Sequence, residues 1–176
     1  MLVLWLRAPF AIAITGLLLT LQCKTTEGCD PSGPCTCTGG SECYLGCAGD
    51  GCSQECYGLG SACGNVCGNR CTQVCHDVPD CSSSCGDDCT IQCRSVDSCA
   101  VLCGARCQYT CTSVETCGVR AGPGSTLRCD SVATCNVVCE GTCRVTCTNV
   151  SDCNVACAPG VSPATCADGT TACGGC

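Results

Sequence analysis

The chain has 176 residues, room for one domain, and 31 of them are cysteine, far above the share that marks a disulfide scaffold. Its net charge is −7, from 15 acidic and 8 scattered basic residues, which argues against nucleic-acid binding and predicts repulsion by anionic lipid. Aromatic residues are scarce: after Trp5 and Phe10 only Tyr44, Tyr57 and Tyr109 follow, so a core of large side chains is excluded and covalent staples must supply much of the stability.

Residues 1–22 read as an export signal. Arg7 carries the positive charge, and Ala8 to Leu21 form an apolar run broken by Thr15, Gly16 and Thr20, too short for a membrane span. The competing reading is an uncleaved N-terminal anchor. Export fits the cysteine content, because disulfides persist in oxidising compartments. Cys23 follows Leu17-Leu18-Leu19-Thr20-Leu21-Gln22, where a bacterial lipoprotein signal places its acylated cysteine, although Gln22 is larger than a lipobox wants. Parity supports lipidation at Cys23, since setting it aside leaves an even number of cysteines to pair. Otherwise Cys23 is the first bridge cysteine.

Residues 23–42, rich in Thr, Gly and Pro, read as an N-terminal cap. Cys43, Cys47, Cys52 and Cys56 make a degenerate coil. A strict register then begins: cysteines recur every eighteen residues at 63, 81, 99, 117, 135 and 153, within a C-x3-C-x3-C-x3-C-x5 pattern. A fixed period of this length indicates a solenoid with one repeat per coil. With coil positions counted from 1 to 18, cysteines hold positions 1, 5, 9 and 13. Position 3 is often valine (Val101, Val119, Val137, Val155) and position 11 is often apolar (Ile91, Tyr109, Leu127, Val145). Positions 1, 3, 5 and 9, 11, 13 therefore alternate with period two and predict two short strands per coil. Gly68, Gly86, Gly104 and Gly122 mark the turn between them. Position 16 is Val78, Val96, Val114, Val132 and Val150, expected to point inward, while positions 15 and 18 carry short polar residues suited to turns. The predicted fold is an all-β, disulfide-stapled parallel β-solenoid over residues 43–157, with little or no helix outside the signal segment and a C-terminal cap over 158–176. Five full coils give a rod on the order of 25 Å. An exposed strand edge at either rod end could support end-to-end association unless the caps cover it.

Coil four carries Ala121 and Ser125 in place of the cysteines at positions 5 and 9, so these two positions are read as partners within a coil. That gives Cys47–Cys52, Cys67–Cys71, Cys85–Cys89, Cys103–Cys107 and Cys139–Cys143. Position 13 then pairs either with position 1 of its own coil or with position 1 of the next. The second alternative gives Cys56–Cys63, Cys75–Cys81, Cys93–Cys99, Cys111–Cys117, Cys129–Cys135 and Cys147–Cys153. It also accommodates Cys37 with Cys43 and is the favoured one, though both stay open. Closing such short loops stabilises by about 2 kcal/mol each in chain-entropy terms.

Other chemistry is sparse. Thiolate metal binding by Zn²⁺ or Cu⁺ is the rival use of the cysteines, but only Cys35-Thr36-Cys37 and Cys173-Gly174-Gly175-Cys176 have the close spacing that metal-rich thiolate proteins favour. Cys173 to Cys176 also has the spacing of a redox C-x-x-C, yet no helix pattern surrounds it, so a terminal cap bridge is expected. His76 is a single histidine in an outer turn beside Asp77, with no partner constellation visible. Gly122-Pro123-Gly124-Ser125 lacks the strand-turn-helix setting of a nucleophile elbow and reads as the turn without its staple. Asp87-Asp88, with Asp77, Asp80 and Asp97, could bind Ca²⁺, but solvated acidic surface is the simpler expectation. Asn149-Val150-Ser151 is a glycosylation sequon if the source is eukaryotic. Arg70, Arg94, Arg106 and Arg120 fall in different columns and form no basic stripe. No catalytic residue, metal ligand or cofactor-binding motif can be named.

Two resemblances follow from these residues. Thr110-Cys111-Thr112 and Thr146-Cys147-Thr148 resemble the Thr-Cys-Thr repeats of beetle antifreeze solenoids, although the same columns elsewhere read Val74/His76, Gln92/Arg94 and Arg128/Asp130. The mature chain as a whole resembles the cysteine-rich surface lipoproteins of myxobacteria and related predatory bacteria. That resemblance is carried by Leu21-Gln22-Cys23-Lys24, by the eighteen-residue repeat and by the tail from Ala158-Pro159-Gly160 to Cys176. It implies outer-membrane or cell-surface placement, and Lys24 would fit transfer away from an inner membrane. The expected function is a non-enzymatic, exported, lipid-anchored structural, adhesion or recognition protein with a surface or matrix partner. Ice binding and thiolate metal sequestration are the alternatives.

Overall fold

A computed structural model describes residues 25–29, 33–47 and 49–176. The expected signal segment 1–22 and the acylation at Cys23 lie outside the described residues. The chain is an all-β parallel solenoid of about seven coils, without helix among the described residues. In chain order the coils hold β1 (Thr25–Cys29) and β2 (Pro34–Thr38); β3 (Glu42–Cys47) and β4 (Ser53–Tyr57); β5 (Ala62–Val66) and β6 (Thr72–His76); β7 (Asp80–Cys85) and β8 (Thr90–Arg94). There follow β9 (Ser98–Cys103) and β10 (Gln108–Thr112); β11 (Thr116–Ala121) and β12 (Ser125–Asp130); β13 (Thr134–Cys139) and β14 (Cys143–Thr148). An eighth coil opens with β15 (Asp152–Ala156), and the chain closes on β16 (Ala164–Thr165) and β17 (Thr171–Cys173). Odd-numbered strands through β15 stack into one sheet of 8 strands, the A sheet, and the rest form a B sheet of 9.

The register repeats the sequence period: Cys81 lies beside Cys99, Cys117 beside Cys135, and Cys93 beside Cys111. The segment read as an N-terminal cap departs from expectation. β1 pairs with β3 in parallel, Thr25 beside Cys43, and β2 pairs with β4, Cys37 beside Cys56. The solenoid therefore begins within residues 23–42. This coil has Thr25 in the position 1 column, so the cysteine rhythm does not announce it.

Two cystine ladders close the two turns. Across the longer turn, position 13 joins position 1 of the next coil in Cys37–Cys43, Cys56–Cys63, Cys75–Cys81, Cys93–Cys99, Cys111–Cys117, Cys129–Cys135 and Cys147–Cys153, with Cα separations of 6.2 to 6.6 Å. Across the shorter turn, position 5 joins position 9 in Cys47–Cys52, Cys67–Cys71, Cys85–Cys89, Cys103–Cys107 and Cys139–Cys143, at 6.1 to 6.5 Å. These separations suit a disulfide. At the unstapled turn the Ser125 hydroxyl donates to the Gly122 carbonyl at 2.7 Å and accepts the Cys107 N–H at 3.1 Å. Ala121 and Ser125 are both buried, so a hydrogen-bonded clamp occupies the place of the cystine.

Between the ladders, Val101, Val119 and Val137 face Ile91, Tyr109, Leu127 and Val145, and Val78, Val96, Val114 and Val132 fill the longer turn. Toward the N-terminal end the same inward columns turn polar, with Gln54, Asn65, Gln73 and Ser83 buried. Gln73 Nε2 donates to Gln54 Oε1 at 2.8 Å, and Gln54 Nε2 donates to the Leu45 carbonyl at 2.9 Å. Asn65 Nδ2, Gln73 Oε1, Ser83 Oγ and the Tyr109 hydroxyl find no hydrogen-bond partner among the described residues.

The C-terminal cap corrects a further expectation. Cys173 and Cys176 do not bridge each other: Cys173 joins Cys157 and Cys176 joins Cys166. β17 runs antiparallel to β14 and β16 antiparallel to β17, so the chain reverses where the next coil would continue. A bridge from Cys157 pins this reversed strand to the last coil.

Candidate functional surfaces

The shorter turn is built on a side-chain ladder. Asn69 N–H donates to Asp50 Oδ1, Asp87 N–H to Asn69 Oδ1 and Ala105 N–H to Asp87 Oδ1, each at 2.8 Å. Each carboxylate or amide thus satisfies the turn of the following coil. The glycine column makes room for this stacking. A Cβ on Gly122 would lie 2.7 Å from the Gly104 backbone. Beside the ladder, Arg70 meets Asp50 at 3.2 Å and Arg106 grips Asp88 through two bonds of 2.6 Å. The Asp88 carboxyl is held below its usual range by the Arg106 hydrogen bond, and Asp50 by the Asn69 N–H and side-chain amide and then by Arg70. The acidic residues considered for Ca²⁺ are not brought together. Asp87 and Asp88 sit in the shorter turn, while Asp77 and Asp97 belong to the longer one and Asp80 opens β7.

His76 is less isolated than the sequence suggests. On the outer face of the B sheet its ring stacks on Tyr57 with centroids 5.1 Å apart, Nδ1 lies 2.8 Å from Asp77 Oδ2, and Nε2 lies 3.4 Å from Glu55 Oε1. Tyr57 and Glu55 come from the preceding coil, whose register places Tyr57 beside His76. The only sequence signal for this cluster is a separation of about one coil. An imidazole between two carboxylates is a local polar cluster, and no serine, threonine or thiol nucleophile stands in hydrogen-bond contact with it among the described residues.

The same outer face carries threonines interleaved with charge. Column neighbours read Thr72, Thr90, Gln108, Thr126 and Arg144, and then Val74, Gln92, Thr110, Arg128 and Thr146. Arg128 pairs with Asp130 at 3.1 Å, and Arg144 with Asp168 at 3.4 Å. Thr110/Thr112 and Thr146/Thr148 thus sit in a mixed face, not a uniform threonine array. The outer face of the A sheet carries exposed Val66, Leu102 and Val138, and Arg120 pairs with Glu140 at 2.8 Å.

Stacking brings sulfurs close together: those of Cys63, Cys75 and Cys81 lie within 4.8 Å of one another, as do those of Cys71, Cys85 and Cys89. All of these cysteines are disulfide-bonded, and a cystine sulfur lacks the thiolate that Zn²⁺ or Cu⁺ requires. The exposed Asn149 of the sequon lies in the longer turn with φ 52°.

Comparison with protein-family models, with curated proteins and with solved structures gave no match.

Proposed function

We propose that the chain is a non-enzymatic, exported rod, anchored by lipid on Cys23 at a cell or outer-membrane surface, that serves as a structural, adhesive or recognition element. The single observation that carries this reading is the double cystine ladder. Nearly every turn of the rod is covalently closed, and among the described residues the core between the ladders is filled by side chains, chiefly cystine and valine. Extensive disulfide bonding is consistent with an oxidising, exported environment. The surface supports the same reading: short ion pairs such as Arg106 with Asp88 run along the turns, and no nucleophile with a base stands out among the described residues.

The test is the intact mass of the exported protein, native and after reduction and alkylation. The reading expects an N-terminus at a diacylated Cys23 and about fifteen bridges opening on reduction. An unprocessed leader would defeat the anchored rod. Free thiols carrying bound metal would replace it with metal sequestration. Thermal hysteresis of the purified protein in ice-containing solution would instead select ice binding.

A further inference from the structure

The two sheets do not end together. β17 takes the rung beside β14, level with β15, and β16 takes the rung beyond. The B sheet therefore extends one strand further than the A sheet, 9 against 8. Opposite β16 the A sheet stops at β15, whose outer edge pairs with no described strand. The Asp152 N–H donates to the Ala133 carbonyl at 3.0 Å, on the β13 side. Strand backbones alternate direction, so Asn154 also faces β13, while the N–H and C=O groups of Cys153 and Val155 face the open edge.

The side chains of this last rung are also incompletely covered. Cys153 is exposed, and Cys147, Val150 and Val155 are only partly buried against the core. One coil earlier their counterparts Cys135, Cys129, Val132 and Val137 are 0 to 2% exposed. What covers them there is the following strand.

We propose that the β15 edge is a binding site for a single extended polypeptide strand from another chain, carrying small or apolar, uncharged residues at the alternate positions that turn inward. Free backbone donors and acceptors in strand geometry select an extended main chain. The Cys147–Cys153 sulfurs, Val150 and Val155 select apolar side chains, and Thr165, which the register places on the inward side of the opposite rung, limits their size. A second copy stacked end-on is a poor occupant. Its own β2 would need the rung that β16 holds. The site rests on the fold alone and stands whether or not Cys23 carries lipid.

The test uses the full oxidised chain and a probe peptide copying β11, acetyl-Thr-Ala-Gly-Val-Arg-Ala-amide, which is Thr116–Ala121 with Cys117→Ala. Amide hydrogen exchange at Cys153 and Val155 should be fast in the free protein and slow at least about tenfold with millimolar peptide. A second peptide with Val119→Asp should give no slowing. Val155→Pro removes an edge-facing N–H that no ladder uses, a position that tolerates proline, and should abolish the effect while the disulfide count stays the same. Protected Cys153 and Val155 amides in the free protein would overturn the proposal. So would exchange unchanged by peptide, or equal slowing by the Val119→Asp peptide. These outcomes concern the edge only and leave the mass test of the anchored rod untouched.

Discussion

The turn that lacks its cystine offers a sharp test of how this rod is held together. Ser125→Ala deletes one buried hydroxyl and little volume. It leaves the Cys107 N–H and the Gly122 carbonyl, both at buried residues, without the partner they have at 3.1 and 2.7 Å. An unsatisfied buried polar group costs about 1–3 kcal/mol. Because the two orphans share one site their costs overlap, and a loss of about 2–3 kcal/mol is expected. Hydrogen exchange at the Cys107 amide reads this locally: about 2 kcal/mol corresponds to roughly 30-fold less protection. Restoring the ladder with Ala121→Cys and Ser125→Cys closes a short loop worth about 2 kcal/mol, so the oxidised double variant should return to within about 1 kcal/mol of the parent. If Ser125→Ala changed Cys107 protection less than about threefold, the hydroxyl would not be a substitute for the cystine.

Further outcomes follow from the same structure. Tyr109→Phe removes a buried hydroxyl that has no partner among the described residues and whose phenol burial pushes strongly upward in pKa; denaturant unfolding should show unchanged or higher stability, by up to about 1–2 kcal/mol. Asn65→Val replaces a buried amide whose Nδ2 is unpaired with the residue found in that column at Val101, Val119 and Val137, and should raise stability by about 1–2 kcal/mol in the same assay. Ser95 and Ser113 hold left-handed backbone at φ 52° and 56°; Ser95→Gly should stabilise by roughly 1 kcal/mol, since that conformation carries no side-chain penalty in glycine. Asp50 has its folded pKa lowered from 3.8, so the order it gives the turn is fully present above that value and is lost as pH falls through the lower folded one. The Asn69 amide resonance should therefore titrate with a midpoint below 3.8, and a higher midpoint would contradict the hydrogen bond from Asn69 to Asp50.

The repeating part of this fold is legible because cysteine marks every inward corner. Position alternation around Cys63, Cys67, Cys71 and Cys75 suffices to place two strands and two turns, and the joint loss at Ala121 and Ser125 points to one of the two bridge classes. The choice between Cys63–Cys75 and Cys75–Cys81 rests on a slighter signal, the fit of Cys37 with Cys43, because stacking brings all three sulfurs of Cys63, Cys75 and Cys81 within 4.8 Å. Irregular coils are hidden for a different reason. Thr25-Thr26-Glu27-Gly28-Cys29 pairs fully with β3, yet its sequence has Glu27 at the register position of Leu45, so no hydrophobic alternation betrays it. Surface clusters such as Glu55 with His76 arise from neighbours about one coil apart, and a turn one residue longer would separate them. The C-terminal reversal depends on Cys157 reaching Cys173 across a hairpin, a tertiary choice that a Cys-Gly-Gly-Cys spacing actively disguises.

The most direct measurement is a disulfide map of the native protein by non-reducing proteolysis and mass spectrometry. Crosslinked peptides should join Cys75 to Cys81 and Cys93 to Cys99, with Cys85 joined to Cys89, so that the two classes alternate along the chain. Peptides joining Cys63 to Cys75 and Cys81 to Cys93 would place the bridges within coils and contradict the turn-closing ladder on which the rod depends.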